Sequence, residues 1–179
     1  MNAARLIRVA LAGLAVAVVA SAAAEPTTPP SVSFAGIAPR ALDGTRVDLS
    51  DRLSQGPLLL DFWATWCRPC ERSLPATQRL HERFRAQRLS VVGVSVDGPR
   101  NWARVRPFAG RLGLMFPVVI DEDGSLARRF RVGGVPTTVL IAPDGRVVRT
   151  HTGWVPGEDD SLAAAVATLL GAATNPAAP

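Results

Sequence analysis

The sequence feature that most constrains the fold is an apolar run that leads into the only two cysteines of the chain. The run at residues 58–63 contains one charged residue, Asp61, and Cys67 and Cys70 follow shortly after it. A continuous apolar run of this length is typical of a central parallel strand that is buried on both faces. The Arg-rich stretch after the cysteines has the pattern of a helix with one polar face. A buried strand that runs into a helix start with two thiols predicts a redox centre.

The spacing of the two cysteines favours a reactive pair. We expect Cys67 at the helix N-terminus, where unpaired N–H groups and the helix dipole stabilise the thiolate, which is the nucleophilic form. Cys70 lies one turn further on the same face, where it can form a disulfide with Cys67. Pro69 suits a first helical turn, and Arg68 adds a positive charge beside the thiols.

Besides redox chemistry, the cysteine pair has two other interpretations, a structural disulfide and a zinc site. A static structural disulfide is disfavoured, because a bridge that closes so short a loop removes little entropy from the unfolded chain. A zinc site needs two more ligands, and no second Cys or His pair follows at ligand spacing. We therefore expect neither a metal nor an organic cofactor.

Length and charge narrow the class of protein. The chain has 179 residues with 47% hydrophobic residues, which allows one domain with additional terminal segments. The net charge is +5, and all 20 basic residues are arginine. The arginines are scattered along the chain rather than concentrated in one run, so we expect no nucleic-acid partner.

The N-terminal 24 residues have the pattern of a targeting segment. Arg5 and Arg8 precede an uncharged stretch at residues 9–24, and this stretch ends in three alanines before Glu25. The pattern predicts a cleaved signal peptide, with an uncleaved anchor that attaches the protein to the inner membrane as the alternative. We therefore expect a periplasmic or exported protein. Residues 25–33, with three prolines, are interpreted as a linker.

The rest of the sequence alternates strand and helix patterns. A turn signal at Asp43 and Gly44 predicts a small N-terminal β-hairpin with strands at residues 34–37 and 46–49. The chain then reads β-α-β-α-β-α-β-β-α, with a strong hairpin signal at residues 143–145. We expect the last helix to stop at Gly171, which gives a domain at residues 34–171 and a disordered tail at residues 172–179. The predicted strands are residues 58–63, 90–96, 115–121, 137–142 and 146–152, and the predicted helices are residues 67–88, 102–112 and 124–130. A last helix is predicted from Leu162, Val166, Leu169 and Leu170, with acidic residues 158–160 near its N-terminus, and residues 51–55 are predicted to be a short turn or helical piece.

Several stretches together resemble the TlpA/ResA-type group of exported thiol–disulfide oxidoreductases in the thioredoxin superfamily. These stretches are residues 61–70, Pro75, residues 134–138 and residues 143–145, and the likeness extends over residues 34–171. The resemblance implies a thioredoxin-like three-layer α/β/α fold with a mixed central sheet. Residues 98–121 match the central insert that separates this group from plain thioredoxin.

The resemblance also implies roles for particular residues. Cys67 is the attacking thiol and Cys70 the resolving thiol. Pro136 matches the cis-proline that faces the disulfide, and the backbone at Val135 and Gly134 matches the segment that binds an extended substrate. Without the resemblance, Pro136 reads as an ordinary trans proline at the start of a strand.

Three further positions lie near the predicted site. Asp61 matches the buried carboxylate of thioredoxin, so we expect a raised pKa and a role as proton shuttle for Cys70. The alternative for Asp61 is a strand-end residue that hydrogen-bonds backbone. Trp66 is predicted to be an exposed aromatic that contacts the substrate. Ser73 is a departure, because many relatives carry Glu there.

The combined prediction is a periplasmic reductase of protein disulfides. The resemblance implies substrates with paired cysteines, such as apoproteins of cytochrome c or proteins of copper-site assembly, and a membrane protein as electron donor. Two alternatives stay open, a copper(I) chaperone that binds the metal with two thiolates and a thiol peroxidase of the related redoxin branch. His81 is interpreted as a helix-face histidine without a catalytic role.

Overall fold

The computed structural model of the protein describes residues 32–174. The predicted targeting segment at residues 1–24, the linker up to residue 31 and the tail from residue 175 onwards lie outside the described residues. Within residues 32–174, no helix is both long enough and apolar enough to cross a membrane.

The described part of the chain alternates strands and helices in the predicted order. Two short 3₁₀ turns lie at Arg85–Gln87 and Pro99–Asn101. The strands are β1 (Leu58–Trp63), β2 (Ser90–Ser95), β3 (Val118–Ile120), β4 (Thr137–Ile141) and β5 (Val147–Thr152). The helices are α1 (Leu49–Gln55), α2 (Cys70–Phe84), α3 (Trp102–Arg111), α4 (Ser125–Arg129) and α5 (Glu158–Thr174).

The five strands form one mixed sheet in the order β3-β2-β1-β4-β5. The central strand β1 pairs in parallel with β2 and antiparallel with β4. In this register Asp61 lies opposite Gly93 on one side and Thr138 on the other. All six residues of β1 are buried, as expected for a strand that is covered on both faces.

Helices cover both faces of the sheet, which gives the predicted three-layer α/β/α arrangement. Side chains of β1 alternate between the faces, as in any strand. Leu59 and Trp63 pack in a core with α2, α3 and α5, whereas Leu60 and Phe62 pack in a second core with α1 and α4. Both cysteines belong to the first core, so the predicted redox pair lies on the α2 side of the sheet.

The N-terminal segment differs from the predicted hairpin. The turn at Gly44 forms, and backbone hydrogen bonds join Val47 to Pro39 and Leu49 to Ile37, but the segments form isolated bridges, Arg40 with Arg46 and Ala41 with Val119, instead of two strands. Leu49 begins α1 instead of ending a strand, because the Asp48 carboxylate caps the helix by accepting two backbone N–H groups. The strands predicted at residues 34–37 and 46–49 are therefore wrong.

The last helix also differs from the prediction, since α5 continues past Gly171 to Thr174. Glycine weakens a helix interior by only about 1 kcal/mol, and no proline follows at once to stop the helix. The buried side of α5, with Leu162, Val166 and Leu170, packs in the core beside α2.

Residues 98–121 form the second 3₁₀ turn, α3 and the edge strand β3, where the resemblance implied a central insert. The insert packs tightly against the centre of the sheet at Gly93. A Cβ atom at this position would lie 3.0 Å from the Phe116 ring and 3.1 Å from the Trp63 indole nitrogen. Glycine therefore suits this position, because a larger residue would force these two aromatic side chains to shift.

Candidate active site

The two cysteines form a disulfide at the carboxyl end of β1. The sulfur atoms are 2.04 Å apart and the Cα atoms 5.3 Å apart. Cys67 is 5% exposed, whereas Cys70 has no exposed surface. Both cysteines are thus largely buried, and of the two only Cys67 keeps a small contact with solvent, which is the arrangement expected of an attacking and a resolving thiol.

Helix α2 begins at Cys70, three residues after the predicted start at residue 67. Cys70 is the first residue of α2 and Pro69 is its N-cap, so Cys67 lies in the preceding turn. The expected interaction with the helix start is nevertheless present, because the Cys70 backbone N–H is directed at Cys67 Sγ over 3.2 Å. A helix-terminal N–H at this position stabilises negative charge on Cys67 when the disulfide opens.

The loop before Cys67 is held by Asp97, which the sequence analysis did not single out. The buried carboxylate of Asp97 accepts the backbone N–H of Thr65 (2.8 Å) and its hydroxyl (2.7 Å). It also accepts the Ser95 hydroxyl over 2.9 Å. These bonds connect the end of β2 to the loop that presents Trp66 and Cys67. No local sequence pattern shows this, since Thr65 and Asp97 are 32 residues apart.

Pro136 approaches the site from β4. The peptide bond between Val135 and Pro136 is cis, as the resemblance implied. Thr137 follows opposite Phe62, so this turn lies at the same end of the sheet as the disulfide. The Thr137 hydroxyl donates to the Gly134 carbonyl oxygen over 2.7 Å and holds the turn closed. Gly134 itself is exposed.

Asp61 lies in the middle of β1, beneath α2, with no exposed surface. Its Oδ2 accepts the Thr77 hydroxyl at 2.6 Å, and its Oδ1 has no hydrogen-bond partner among residues 32–174. Burial raises the pKa of this carboxyl to about 7, and the Thr77 hydrogen bond opposes the rise only in part. Near neutral pH Asp61 can therefore take up or release a proton.

The inner face of α2 connects Asp61 to the cysteines. Cys70, Ser73 and Thr77 lie at successive turns of this face, and all three are buried. The Ser73 hydroxyl donates to the Cys70 carbonyl oxygen over 3.4 Å. Ser73 therefore places no carboxylate next to the pair, unlike the Glu expected from the resemblance.

The aromatic residues divide into a surface group and a core group. Trp66 is 59% exposed and lies directly before Cys67, which agrees with the predicted contact surface. Trp63 is fully buried and stacks on Phe108 with ring centres 5.2 Å apart. His81 is half-buried with its ring edge-on to Phe116, and burial lowers its pKa. Its place on the side of α2, away from the disulfide, agrees with a helix-face histidine.

Within residues 32–174, no group of three or more His, Cys, Asp and Glu side chains lies close enough together to hold a metal ion.

Comparison with known proteins relates this site to thiol–disulfide exchange proteins. ResA, a thiol–disulfide oxidoreductase of Geobacillus thermodenitrificans, is 38% identical over 118 residues, which are 66% of each chain. The chain thus spans just under two thirds of that relative. A structure from Chlorobium tepidum, provisionally assigned as the thiol:disulfide interchange protein DsbE, superposes with a TM-score of 0.69 at 30% identity and covers 80% of this chain and 96% of its own.

A second solved structure, DsbF of Mycobacterium tuberculosis, has 26% identity and a TM-score of 0.64, with coverage of 74% of this chain and 93% of its own. The family model described as AhpC/TSA matches residues 30–150, which include both cysteines and Pro136. The predicted thioredoxin-like fold and the resemblance to the ResA-type group are confirmed by these matches. The chain belongs to the AhpC/TSA family.

Proposed function

We propose that the protein is a thiol–disulfide oxidoreductase that reduces disulfides of protein substrates in the periplasm. The observation that carries the proposal is the difference between the two sulfurs. Cys67 keeps a small solvent-exposed surface and its sulfur accepts a helix-terminal N–H, whereas Cys70 is fully buried. The similarity to the thiol–disulfide oxidoreductase ResA supports the same chemistry.

In the reduced protein, the Cys67 thiolate attacks one sulfur of a substrate disulfide. A mixed disulfide forms, and the other substrate sulfur leaves as a thiolate that takes a proton. Cys70 then loses its proton and attacks Cys67 Sγ. This releases the second substrate thiolate, which is protonated in turn, and it leaves the Cys67–Cys70 disulfide. The substrate gains two electrons and two protons. The protein supplies both electrons and the Cys70 proton, and solvent supplies the second proton, which Cys67 released when it formed the thiolate.

Asp61 is the proposed acceptor for the Cys70 proton. It lies on the buried side of α2, and its raised pKa makes proton uptake favourable close to neutral pH. When Asp61 takes up the Cys70 proton, its buried carboxylate becomes a neutral carboxyl. Because a charge in this apolar core is unfavourable, this transfer lowers the barrier for the resolving step. A water molecule or the Thr77 hydroxyl can complete the path, since Thr77 already donates to the carboxyl.

The proposed substrate site includes Trp66 and the backbone at Val135 and Gly134. An extended substrate segment can pair with the exposed backbone before Pro136, while the Trp66 indole covers its apolar side chains. This arrangement recognises backbone and apolar surface near a disulfide, which suits unfolded substrates such as apoproteins of cytochrome c or proteins of copper-site assembly.

The reducing direction and the compartment rest on the sequence and on the relatives. The targeting pattern at residues 1–24 supports export, and the periplasm is an oxidising compartment. A reductase there needs electrons from the cytoplasmic side, so we propose a membrane protein as the donor that reduces the Cys67–Cys70 disulfide after each cycle.

The direction is tested by the equilibrium potential of the Cys67–Cys70 pair against glutathione. A reductase is expected to have a value near that of thioredoxin, about −270 mV, whereas a value near −120 mV would indicate an oxidant. The two alternatives are tested on the same reduced protein. Stoichiometric copper(I) binding without reduction of insulin would favour a chaperone, and rapid consumption of hydrogen peroxide would favour a peroxidase.

Substrates are identified with Cys70→Ser, which removes the resolving sulfur but keeps Cys67. We expect this variant to accumulate mixed disulfides with periplasmic proteins, visible as adducts that disappear on reduction. Cys67→Ser is the matched control and should trap nothing. If both variants gave the same adducts, the assigned order of the two thiols would be wrong.

A further inference from the structure

A positively charged groove lies at the end of the domain opposite to the disulfide. Arg52 comes from α1, Arg85 from the 3₁₀ turn after α2, and Arg88 from the residue that ends this turn. Together with His81 they line an open groove of about 620 Å³. We call Arg52, Arg85 and Arg88 the distal arginine surface.

The distal arginine surface carries charge that other side chains do not neutralise. Within residues 32–174, its three guanidinium groups make neither an ion pair nor a side-chain hydrogen bond, in contrast to the ion pairs of Arg79 with Asp159 and Arg111 with Glu71. A carboxylate does lie nearby on α2, that of Glu82, and it accepts a hydrogen bond from the Gln78 side chain. The residues that line the groove include these three arginines and no carboxylate, so the groove is net positive.

The electrostatics at His81 agree with this description. Burial is the main cause of its lowered pKa, the charges of Arg85 and Arg52 lower it further, and Glu82 acts in the opposite sense. The positive charges of Arg52 on α1 and of Arg85 after α2 therefore both act on His81.

Backbone packing fixes the arginines relative to one another. Gly56, the C-cap of α1, lies so close to Arg88 that a Cβ atom at this glycine would be 2.3 Å from the Arg88 carbonyl oxygen. Arg88 has a left-handed backbone with φ of 71°. Since this contact joins the ends of α1 and of the 3₁₀ turn, the arginines from both elements stay on one surface.

The N-terminal segment joins the domain at this same end. The Val32 N–H donates to the Gly145 carbonyl oxygen over 2.9 Å, in the turn between β4 and β5. This turn follows Ile141, which pairs with Leu58 at the start of β1, whereas the disulfide follows the other end of β1. The described chain thus begins at the end of the domain that carries the distal arginine surface.

We propose that the distal arginine surface binds the anionic headgroups of a phospholipid bilayer. Guanidinium groups suit phosphate oxygens, and clustered basic residues near an anionic bilayer each add to the attraction. If residues 1–24 stay attached as an anchor, which is the alternative to a cleaved signal peptide, they would join the domain at this same end. Because α2 has 15 residues and rises about 1.5 Å per residue, the disulfide is then held about 22 Å beyond the arginines, facing away from the lipid. The proposal does not depend on the direction of the thiol reaction.

The test is hydrogen–deuterium exchange of the full chain on phosphatidylcholine vesicles with and without phosphatidylglycerol. We expect slower exchange at residues 49–56 and 84–90 only on the anionic vesicles, with no change at residues 64–76 around the disulfide. High salt should abolish the difference, because it screens charge at an exposed surface. Equal exchange on both vesicle types would overturn the proposal.

Two triple variants with the same change in net charge distinguish binding by the distal arginine surface from a general effect of positive charge. Arg52→Gln/Arg85→Gln/Arg88→Gln should reduce the protection by about tenfold or more. The control Arg100→Gln/Arg104→Gln/Arg106→Gln removes the same charge near and on α3 and should keep the protection. Equal loss in both variants would show a non-specific charge effect and contradict the proposal. The same protection from inorganic phosphate over neutral vesicles would show a small-anion site instead of a bilayer surface, and would also overturn it.

Discussion

At the scale of single residues, the most consequential side chain outside the disulfide is Asp61. A carboxyl with no exposed surface and one hydrogen bond, from Thr77, is poorly compensated when ionised. Its pKa is therefore raised to about 7 in the folded protein, against about 3.9 in an unfolded chain. This difference links the folding of the protein to pH.

The first prediction concerns the stability of the oxidised protein. Between about pH 4 and pH 7 the unfolded chain has lost the Asp61 proton and the folded protein still binds it, so stability falls as pH rises, by about 1.4 kcal/mol per unit from this group. Below this window both states are protonated, and above it both are ionised, so the contribution is constant. Asp61→Asn should lack this slope. Urea unfolding at several pH values measures it, and equal slopes in both proteins would contradict the raised pKa.

The second prediction concerns the exposed indole next to Cys67. Trp66→Ala removes an apolar surface that is 59% exposed and contributes little to the core. We expect KM for a protein disulfide to rise about tenfold, the effect of roughly 1.4 kcal/mol of lost contact, with little change in unfolding free energy. Reduction of the Cys67–Cys70 disulfide by dithiothreitol is the control and should be unaffected. A parallel loss of both reactions would mean that Trp66 shapes the disulfide rather than the contact surface.

At the scale of elements, the loop before Cys67 depends on a carboxylate from β2. Asp97 accepts hydrogen bonds from Thr65 and Ser95, all of them buried. The loop between β1 and α2 is short, and its position sets where the Cys67 sulfur lies. The strand end that supplies Asp97 is thus a positioning element for the site.

The third prediction is that Asp97→Ala destabilises the protein by about 3 kcal/mol, because it leaves buried donors of Thr65 without a partner. The potential of the cysteine pair should shift as well, since the loop is no longer fixed. Thr65→Ser is the matched variant, which keeps the hydroxyl and should be nearly neutral. Chemical unfolding and redox titration measure the two effects. A destabilised variant with an unchanged potential would limit Asp97 to a structural role.

Element prediction from the sequence succeeded where periodicity and turn chemistry agreed. The limits of β1 match the predicted residues, since the apolar run is bounded by Gln-Gly-Pro on one side and the loop on the other. The N-terminal hairpin failed, because the Asp48 cap and the buried Leu49 and Leu53 favour a helix over a second strand. The Gly171 stop failed because a single glycine weakens a helix interior by only about 1 kcal/mol and the alanines that follow it favour the helix.

The residues of the candidate site likewise fall into those that the sequence indicated and those that only the fold reveals. The cysteine pair, Asp61 and the cis Pro136 were found from motif spacing together with the resemblance. Asp97 was missed, since its partners are distant in sequence and only the parallel pairing of β1 with β2 brings them together. Burial of Cys70 and the direction of its N–H towards Cys67 are likewise properties of the folded chain.

At the scale of the whole molecule, the sheet has a protected centre and two different edges. β1 and β4 have paired neighbours on both sides, and nearly all of their residues are buried. At the edges, β5 has side chains that alternate between half-buried and exposed, and β3 has only three residues. The redox site lies at the end of the protected centre.

The fourth prediction follows from this arrangement. In native-state hydrogen exchange, the amides of β1 and β4 should exchange only through global unfolding, whereas those of β5 should exchange through smaller openings. Exchange against low denaturant distinguishes the two, because global openings depend on denaturant and local ones do not. If the amides of β5 exchanged more slowly than those of β1, the position of a strand in the sheet would not determine its local stability.

The central position of β1 has one more consequence. Its two partners come from different parts of the chain, with β2 before the exposed turn at Gly113 and β4 after it. A chain cut at this turn would leave both cysteines on one fragment and Pro136 on the other, and neither fragment could complete the sheet. Recovery of thiol–disulfide oxidoreductase activity on mixing would then report that the halves had reassembled, so the protein offers a natural division for a split reporter of protein proximity.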